Sequence, residues 1–180
     1  MTKFDDIYDI AADNHGLITS AQAKQAGISN IELVQYARRG RVNKVGHGIY
    51  QLVQWVSEPN DVYAWAVAMA GPDALLYGES VIAMLGLSPT NPNRTFVATP
   101  RRVRRTLPEN IRIVHIEGII PTAIYDGIPC QSAHDAILAC NGKMLPERLM
   151  AAADEARRQG LIDEGQFQAL KEDAGVSNGD

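Results

Sequence analysis

Residues 27–50, GISNIELVQYARRGRVNKVGHGIY, constrain this chain more than any other stretch. Gly27 closes one helix and Ser29 opens the next. Ser29-Asn30-Ile31-Glu32 fits a capping box, in which the serine hydroxyl accepts from a backbone N–H and the glutamate reaches back to the serine amide. The spacing predicts a helix to Arg39, stopped by Gly40, a residue suited to the left-handed conformation that ends helices. Arg41-Val42-Asn43-Lys44-Val45 then alternates polar and apolar. Gly46-His47-Gly48 turns the chain, and Ile49-Tyr50-Gln51-Leu52 returns it. Two short strands around a glycine-containing turn make a hairpin.

The residues before this stretch extend the pattern. Phe4, Ile7, Tyr8 and Ala11 repeat at helical spacing, which predicts a first helix over residues 3–13, with Thr2 as its cap. Asn14-His15-Gly16 breaks it, and Leu17-Ile18 suits a short strand able to pair with the hairpin. Thr19-Ser20-Ala21-Gln22 is a second capping-box pattern. Residues 3–52 therefore read helix, short strand, helix, turn, helix, hairpin. That order is the winged helix-turn-helix order, and it implies binding to DNA.

The face of the third helix decides what it can touch. Leu33, Tyr36 and Ala37 share one side, and a turn of 100° per residue places Ile31, Val34, Gln35 and Arg38 on the other. Asn30 stands at the amino end, and Arg39 at the carboxyl end. On an outer face, glutamine pairs with adenine, arginine meets guanine or phosphate, and an aliphatic side chain meets a thymine methyl. Arg41, Lys44 and His47 fall on the hairpin, in reach of phosphate or the minor groove. A rotated helix would instead bury Ile31 and Val34, and arginines near a helix carboxyl end favour its dipole without any ligand. The motif order favours the groove-reading arrangement.

Charge is distributed to match. The total is −4, which argues against a uniformly adhesive nucleic-acid binder. From Ile28 to Leu52, however, Arg38, Arg39, Arg41 and Lys44 face Glu32 alone. From Arg94 to Arg112, six arginines face Glu109 alone, and from Glu117 onward eleven acids face five bases. Local fields decide what a surface attracts. The run Arg101, Arg102, Arg104 and Arg105 is a candidate contact for an anion or an acidic partner. It positions and attracts rather than reads bases.

Residues 53–60 read as a linker, so the expected domains are 1–53, 60–174 and a fraying tail at 175–180. In the second, Val62, Trp65, Ala66 and Met69 predict one helix, and residues 78–85 another. Thr95-Phe96-Val97-Ala98-Thr99 and residues 111–116 are rich in β-branched residues and predict strands. Further helices are expected from Pro129 to Cys140 with Ser132 as cap, from Pro146 to Gly160, and from Asp163 to Glu172. The whole is an α+β chain: a winged helix-turn-helix followed by a small mixed α/β carboxyl-terminal domain.

Chemistry is sparse. Cys130 and Cys140 lack zinc-ligand spacing and read as reduced structural cysteines. His47 between glycines suits a turn, and His134-Asp135 suits a helix start, with no nucleophile or metal cluster beside either. Glu79, Glu117 and Asp126 are scattered, unlike the gathered acids of a metal-dependent nuclease. No catalytic residue, cofactor or metal is expected. No apolar run approaches the roughly 20 residues needed to span a bilayer, and no basic-then-apolar leader opens the chain. A cytoplasmic location follows from that reading.

Taken in sequence, GLITSAQAKQAGIS, ARRGRVNKVGHGIYQL, LLYGESVIAMLGL, FVATPRR and IPCQSAHDAILA give the chain a likeness. It resembles the AbiEi-type antitoxins of type IV toxin–antitoxin and abortive-infection operons. The segment SAHDAIL departs from the proline-glutamate-arginine pattern of relatives. The resemblance implies a transcriptional repressor that binds inverted repeats of double-stranded DNA in its own promoter. It also implies a carboxyl-terminal domain that counters a cognate nucleotidyltransferase-type toxin, with catalysis resident in the toxin. On this resemblance the DNA contacts fall on Asn30, Gln35, Arg38, Arg39, Arg41 and Lys44. The competing expectation is a regulator whose second half senses a ligand or mediates dimerisation, with no toxin partner.

Overall fold

The computed structural model describes residues 2–176. It is a mixed α+β structure with helices and two sheets, and it divides into two compact units, Met1–Gly71 and Pro72–Asp180.

The first unit runs α1 (Lys3–Ala12), β1 (Leu17–Thr19), α2 (Ser20–Gln25), α3 (Asn30–Arg38), β2 (Val42–Gly46), β3 (Ile49–Leu52) and α4 (Asp61–Ala70). Local chemistry sets the helix starts. Thr2 with Asp5, Thr19 with Gln22, and Ser29 with Glu32 each form the reciprocal pair of a capping box. The strands form an antiparallel sheet in the order β1-β3-β2. Ile18 lies opposite Tyr50, and Val42 opposite Leu52. These four point to the face covered by α1, α2 and α3, where they pack with Ile7, Ala11, Ala23, Ile28 and Leu33. A bulge between Lys44 and Gly46 ends the regular pairing beside the turn.

The other face of that sheet is covered as well. Ile49 is buried there, and a side chain at Gly46 would collide with Met69 Sδ of α4. Trp65 Nε1 donates to the Val45 carbonyl at 3.4 Å. The helix expected to open the second domain therefore lies within the first unit. Residues 53–60 are no free linker either, because Trp55 packs against the first core and its Nε1 donates to Asp61. Within α4, Ala66, Val67, Met69 and Ala70 are buried, whereas Val62 is 45% exposed and lies off the packed face.

The second unit contains β4 (Leu75–Leu76), α5 (Glu79–Met84), β5 (Thr95–Thr99), β6 (Ile111–His115), β7 (Ala123–Tyr125), β8 (Ile128–Cys130), α6 (Ala133–Ala139), α7 (Pro146–Arg158) and α8 (Glu164–Val176). Its sheet has the order β6-β5-β4-β8-β7. β5 and β6 are parallel, as are β4 and β8, while the other pairs are antiparallel. α5 to α8 enclose an apolar cluster that includes Ile82, Ile137, Leu149, Phe167 and Leu170. Ala152, Ala153 and Ala156 are fully buried in it, and their small size lets α7 approach its neighbours closely.

Two expectations change here. The stretch from Pro129 does not begin a helix. Ile128–Cys130 is a strand, paired with β7 across a tight turn at Asp126 and Gly127, both with positive φ. The helix begins only at Ala133, with Ser132 accepting from the Asp135 N–H as expected. The last helix runs past Glu172 to Val176, so the expected fraying tail begins inside a helix, and residues 177–180 lie outside the described residues. Cys130 and Cys140 are free and buried, and burial pushes both thiols up to about 11. Among the described residues no helix is long and apolar enough to cross a membrane.

Candidate nucleic-acid interface

α3 is fixed at its start and along one side. Glu32 accepts from the Ser29 N–H at 2.8 Å and from Lys3 Nζ of α1 at 2.6 Å. The Lys3 ammonium and the Ser29 N–H and hydroxyl hold the Glu32 carboxyl down at about 2. Leu33 is fully buried, and the Tyr36 ring lies 5.5 Å from that of Phe4. These anchors set the rotation of the helix about its axis. The alternative rotation, with Ile31 and Val34 in the core, is excluded: Ile31 is 72% exposed and Val34 38% exposed.

The outward arc therefore carries Ile31, Val34, Gln35, Arg38 and Arg39, all at least partly open to solvent. Asn30 is exposed at the amino end, where its Oδ1 accepts from Ser20 Oγ of α2 at 3.1 Å. Gly40 ends the helix with a φ of 68°, and the Arg41 N–H donates to the Tyr36 carbonyl at 3.0 Å. The hairpin thus follows the helix with no slack. Lys44 sits opposite Tyr50, on the sheet face that the helices cover, but beyond the packed core and exposed. His47 lies at the surface in the turn.

Arg41 departs from the expected placement. It precedes β2 rather than lying on the hairpin, and its guanidinium stacks over the Phe4 ring of α1 at 4.5 Å. That cation–π contact draws the charge toward the Phe4–Tyr36 side of α3. The expected cluster is thus divided, with Arg38, Arg39 and Lys44 outward and Arg41 turned toward α1.

The arginine run of the second unit lies in the connection between the parallel strands β5 and β6. Arg101, Arg102, Arg104 and Arg105 are all exposed, and Arg101 pairs with Asp73. β6 is an edge strand, and it carries exposed Arg112 and His115.

One polar cluster escaped the sequence reading. His15 Nδ1 lies 2.9 Å from Asp61 Oδ1 and 3.7 Å from Glu58 Oε2. Trp55 Nε1 and the Glu58 N–H both donate to Asp61 Oδ2, at 2.8 and 2.9 Å. Burial pushes the Asp61 carboxyl up, but the Glu58, Trp55 and His15 hydrogen bonds outweigh it and hold the group below its usual range. His15 itself is buried and has a φ of 55°. The three side chains offer one nitrogen and two carboxylate oxygens within 4.8 Å of one another, a ligand set that a divalent cation can use. Their hydrogen bonds already give the cluster a structural role: they tie the α1–β1 turn to the start of α4. His15 and Asp61 are 46 residues apart, so no local spacing signals the contact.

Residues 5–53 match the family described as "Transcriptional regulator, AbiEi antitoxin". The matched residues make up under a third of the chain. The matched segment covers α1 to β3, and it ends before α4. No curated protein matches the chain. Among solved structures, the crystal structure of RV2827C protein from Mycobacterium tuberculosis aligns over 93% of this chain and 80% of its own, at 14% identity and a TM-score of 0.40.

Proposed function

We propose that the first unit is a winged helix-turn-helix that binds double-stranded DNA at inverted repeats in its own promoter and represses a toxin–antitoxin operon. The second unit counters a cognate toxin of nucleotidyltransferase type. The chain acts in the cytoplasm and is not itself an enzyme. A single observation carries the reading: a capped helix shows Ile31, Gln35, Arg38 and Arg39 on one uncovered arc, and a hairpin bearing an exposed lysine follows it directly. A helix of this kind fits a major groove, and flanking cations neutralise phosphate. The family match over the same residues supports it. The arginines at 102 and 104, exposed on the second unit, are proposed to meet an anion or an acidic partner surface.

The test is a titration of the full chain against its promoter duplex over a range of salt concentrations. Replacing Arg38 and Lys44 together by alanine is expected to weaken binding at least tenfold. It should also flatten the log–log salt dependence by about 0.9 for each phosphate that is no longer neutralised. Undiminished affinity in that double variant contradicts the assigned face. Co-expression with the adjacent gene tests the second role. The same variant is expected to keep rescuing growth, since the residues changed lie in the first unit. Failure of the native chain to rescue growth from any neighbouring toxin gene contradicts the antitoxin role.

A further inference from the structure

The apolar part of the outward arc is unexplained by phosphate binding. Ile31 and Val34 are separated by three residues on α3, so their Cβ atoms lie about 5–6 Å apart. Both are exposed, Ile31 to 72%. Among the described residues Val56 and Ile119 are more exposed but stand in connecting segments, Ile124 lies on β7, and Tyr8, Val62 and Leu138 stand singly on their helices, whereas α3 carries two such side chains. Ile31 and Val34 lie on a helix whose rotation is fixed by a buried Leu33, a Phe4–Tyr36 ring contact and the Glu32–Lys3 pair. Gln35 stands four residues from Ile31, and Arg38 four from Val34, so the two aliphatic side chains are bordered by an amide and a cation.

Such a patch has few fitting occupants. An apolar protein partner would have to bury Arg38 and Arg39 beside it, and isolated buried charge is costly. A major groove presents both chemistries together. Phosphates and guanine acceptors meet cations, adenine meets an amide, and the 5-methyl groups of thymine are the apolar features of the groove floor. Base pairs stack about 3.4 Å apart along the duplex, so side chains roughly 5–6 Å apart reach methyl groups on neighbouring steps.

We propose that Ile31 and Val34 read two neighbouring 5-methylpyrimidines in the operator, with Gln35 selecting thymine through its partner adenine. This rests on the DNA-binding reading above and adds the base class that α3 recognises. Thymine and 5-methylcytosine carry the same methyl group, but only thymine pairs with adenine, whose N6 and N7 match a glutamine amide.

The experiment uses the full chain and a duplex recovered by it from a random library. Each thymine in the protected half-site is replaced in turn by deoxyuridine, which keeps every hydrogen bond and removes the methyl group. Affinity is expected to fall about fourfold at each of two neighbouring positions, the ratio that burial of one methyl group supplies. Ile31→Ala should abolish that sensitivity at one position and Val34→Ala at the other. Both variants should melt like the native chain, because neither side chain supports the core. A 5-methylcytosine·guanine pair should bind less tightly than thymine·adenine at the position whose adenine Gln35 meets. Equal binding to thymine and deoxyuridine duplexes, or unchanged sensitivity in both variants, overturns the inference and leaves DNA binding standing. Equal binding to the 5-methylcytosine pair overturns the role of Gln35. If no sequence-preferring duplex is recovered, the DNA-binding reading itself fails.

Discussion

Gly16 has a φ of 73°, and a Cβ added there would collide with the Trp55 side chain. Its indole also donates to Asp61, so the glycine, the tryptophan and the His15–Asp61 contact hold one another in place. Gly16→Ala combines a left-handed alanine, costing about 1–2 kcal/mol, with displacement of the ring. It is expected to lower the melting temperature of the first unit by about 4 °C or more. Faster hydrogen exchange at β1 and β3 would report the same weakening. Glu32 gives a pH-dependent counterpart. Its carboxyl is held at about 2 in the folded chain, against an ordinary value of 4.5. A group whose pKa folding lowers contributes stability above the ordinary value and loses it as pH falls toward the folded one. The start of α3 should therefore loosen between pH 4.5 and about 2. An NMR titration of the Glu32 carboxyl, with exchange of the Glu32 amide followed in parallel, checks this.

At the scale of elements, α4 alters the boundary drawn from sequence. Its Met69 closes over Gly46 on the sheet face that α1 to α3 leave open, the face on which Ile49 is buried. A fragment of residues 1–71 is expected to fold cooperatively, and a fragment of residues 1–53 to melt at least about 5 °C lower, as loss of roughly a kcal/mol or more implies for a unit this small. Equal melting of the two would show that α4 adds nothing to this unit. The starts of α1, α2 and α3 were legible because serine, threonine and acidic or amide side chains act within four residues. The rotation of α3 was legible for a similar reason, since Leu33 and Tyr36 mark its inner side. The place of α4 was not, because it depends on Asp61 meeting His15 and Met69 meeting Gly46, contacts between distant residues. The stacking of Arg41 over Phe4 was hidden in the same way. The β7–β8 hairpin was legible and overlooked: Asp126-Gly127 is a strong turn signal, but Pro129 and the helical spacing beyond it drew the expected helix too far back.

For the whole molecule, a net charge of −4 does not oppose DNA binding, because acid and base are segregated along the chain. The outward arc of α3 and the exposed lysine of β2 carry almost no acid, while the last third of the chain is rich in it. The role proposed for the first unit requires this arc and the hairpin beside it to form the DNA-binding surface. Amide chemical shifts of the isotopically labelled full chain, followed during titration with the promoter duplex, test that requirement most directly. Saturable changes are expected at residues 29–39 and 43–48. Changes concentrated on α1, α4 or the α5–α8 helices, with residues 31–38 unmoved, would contradict it.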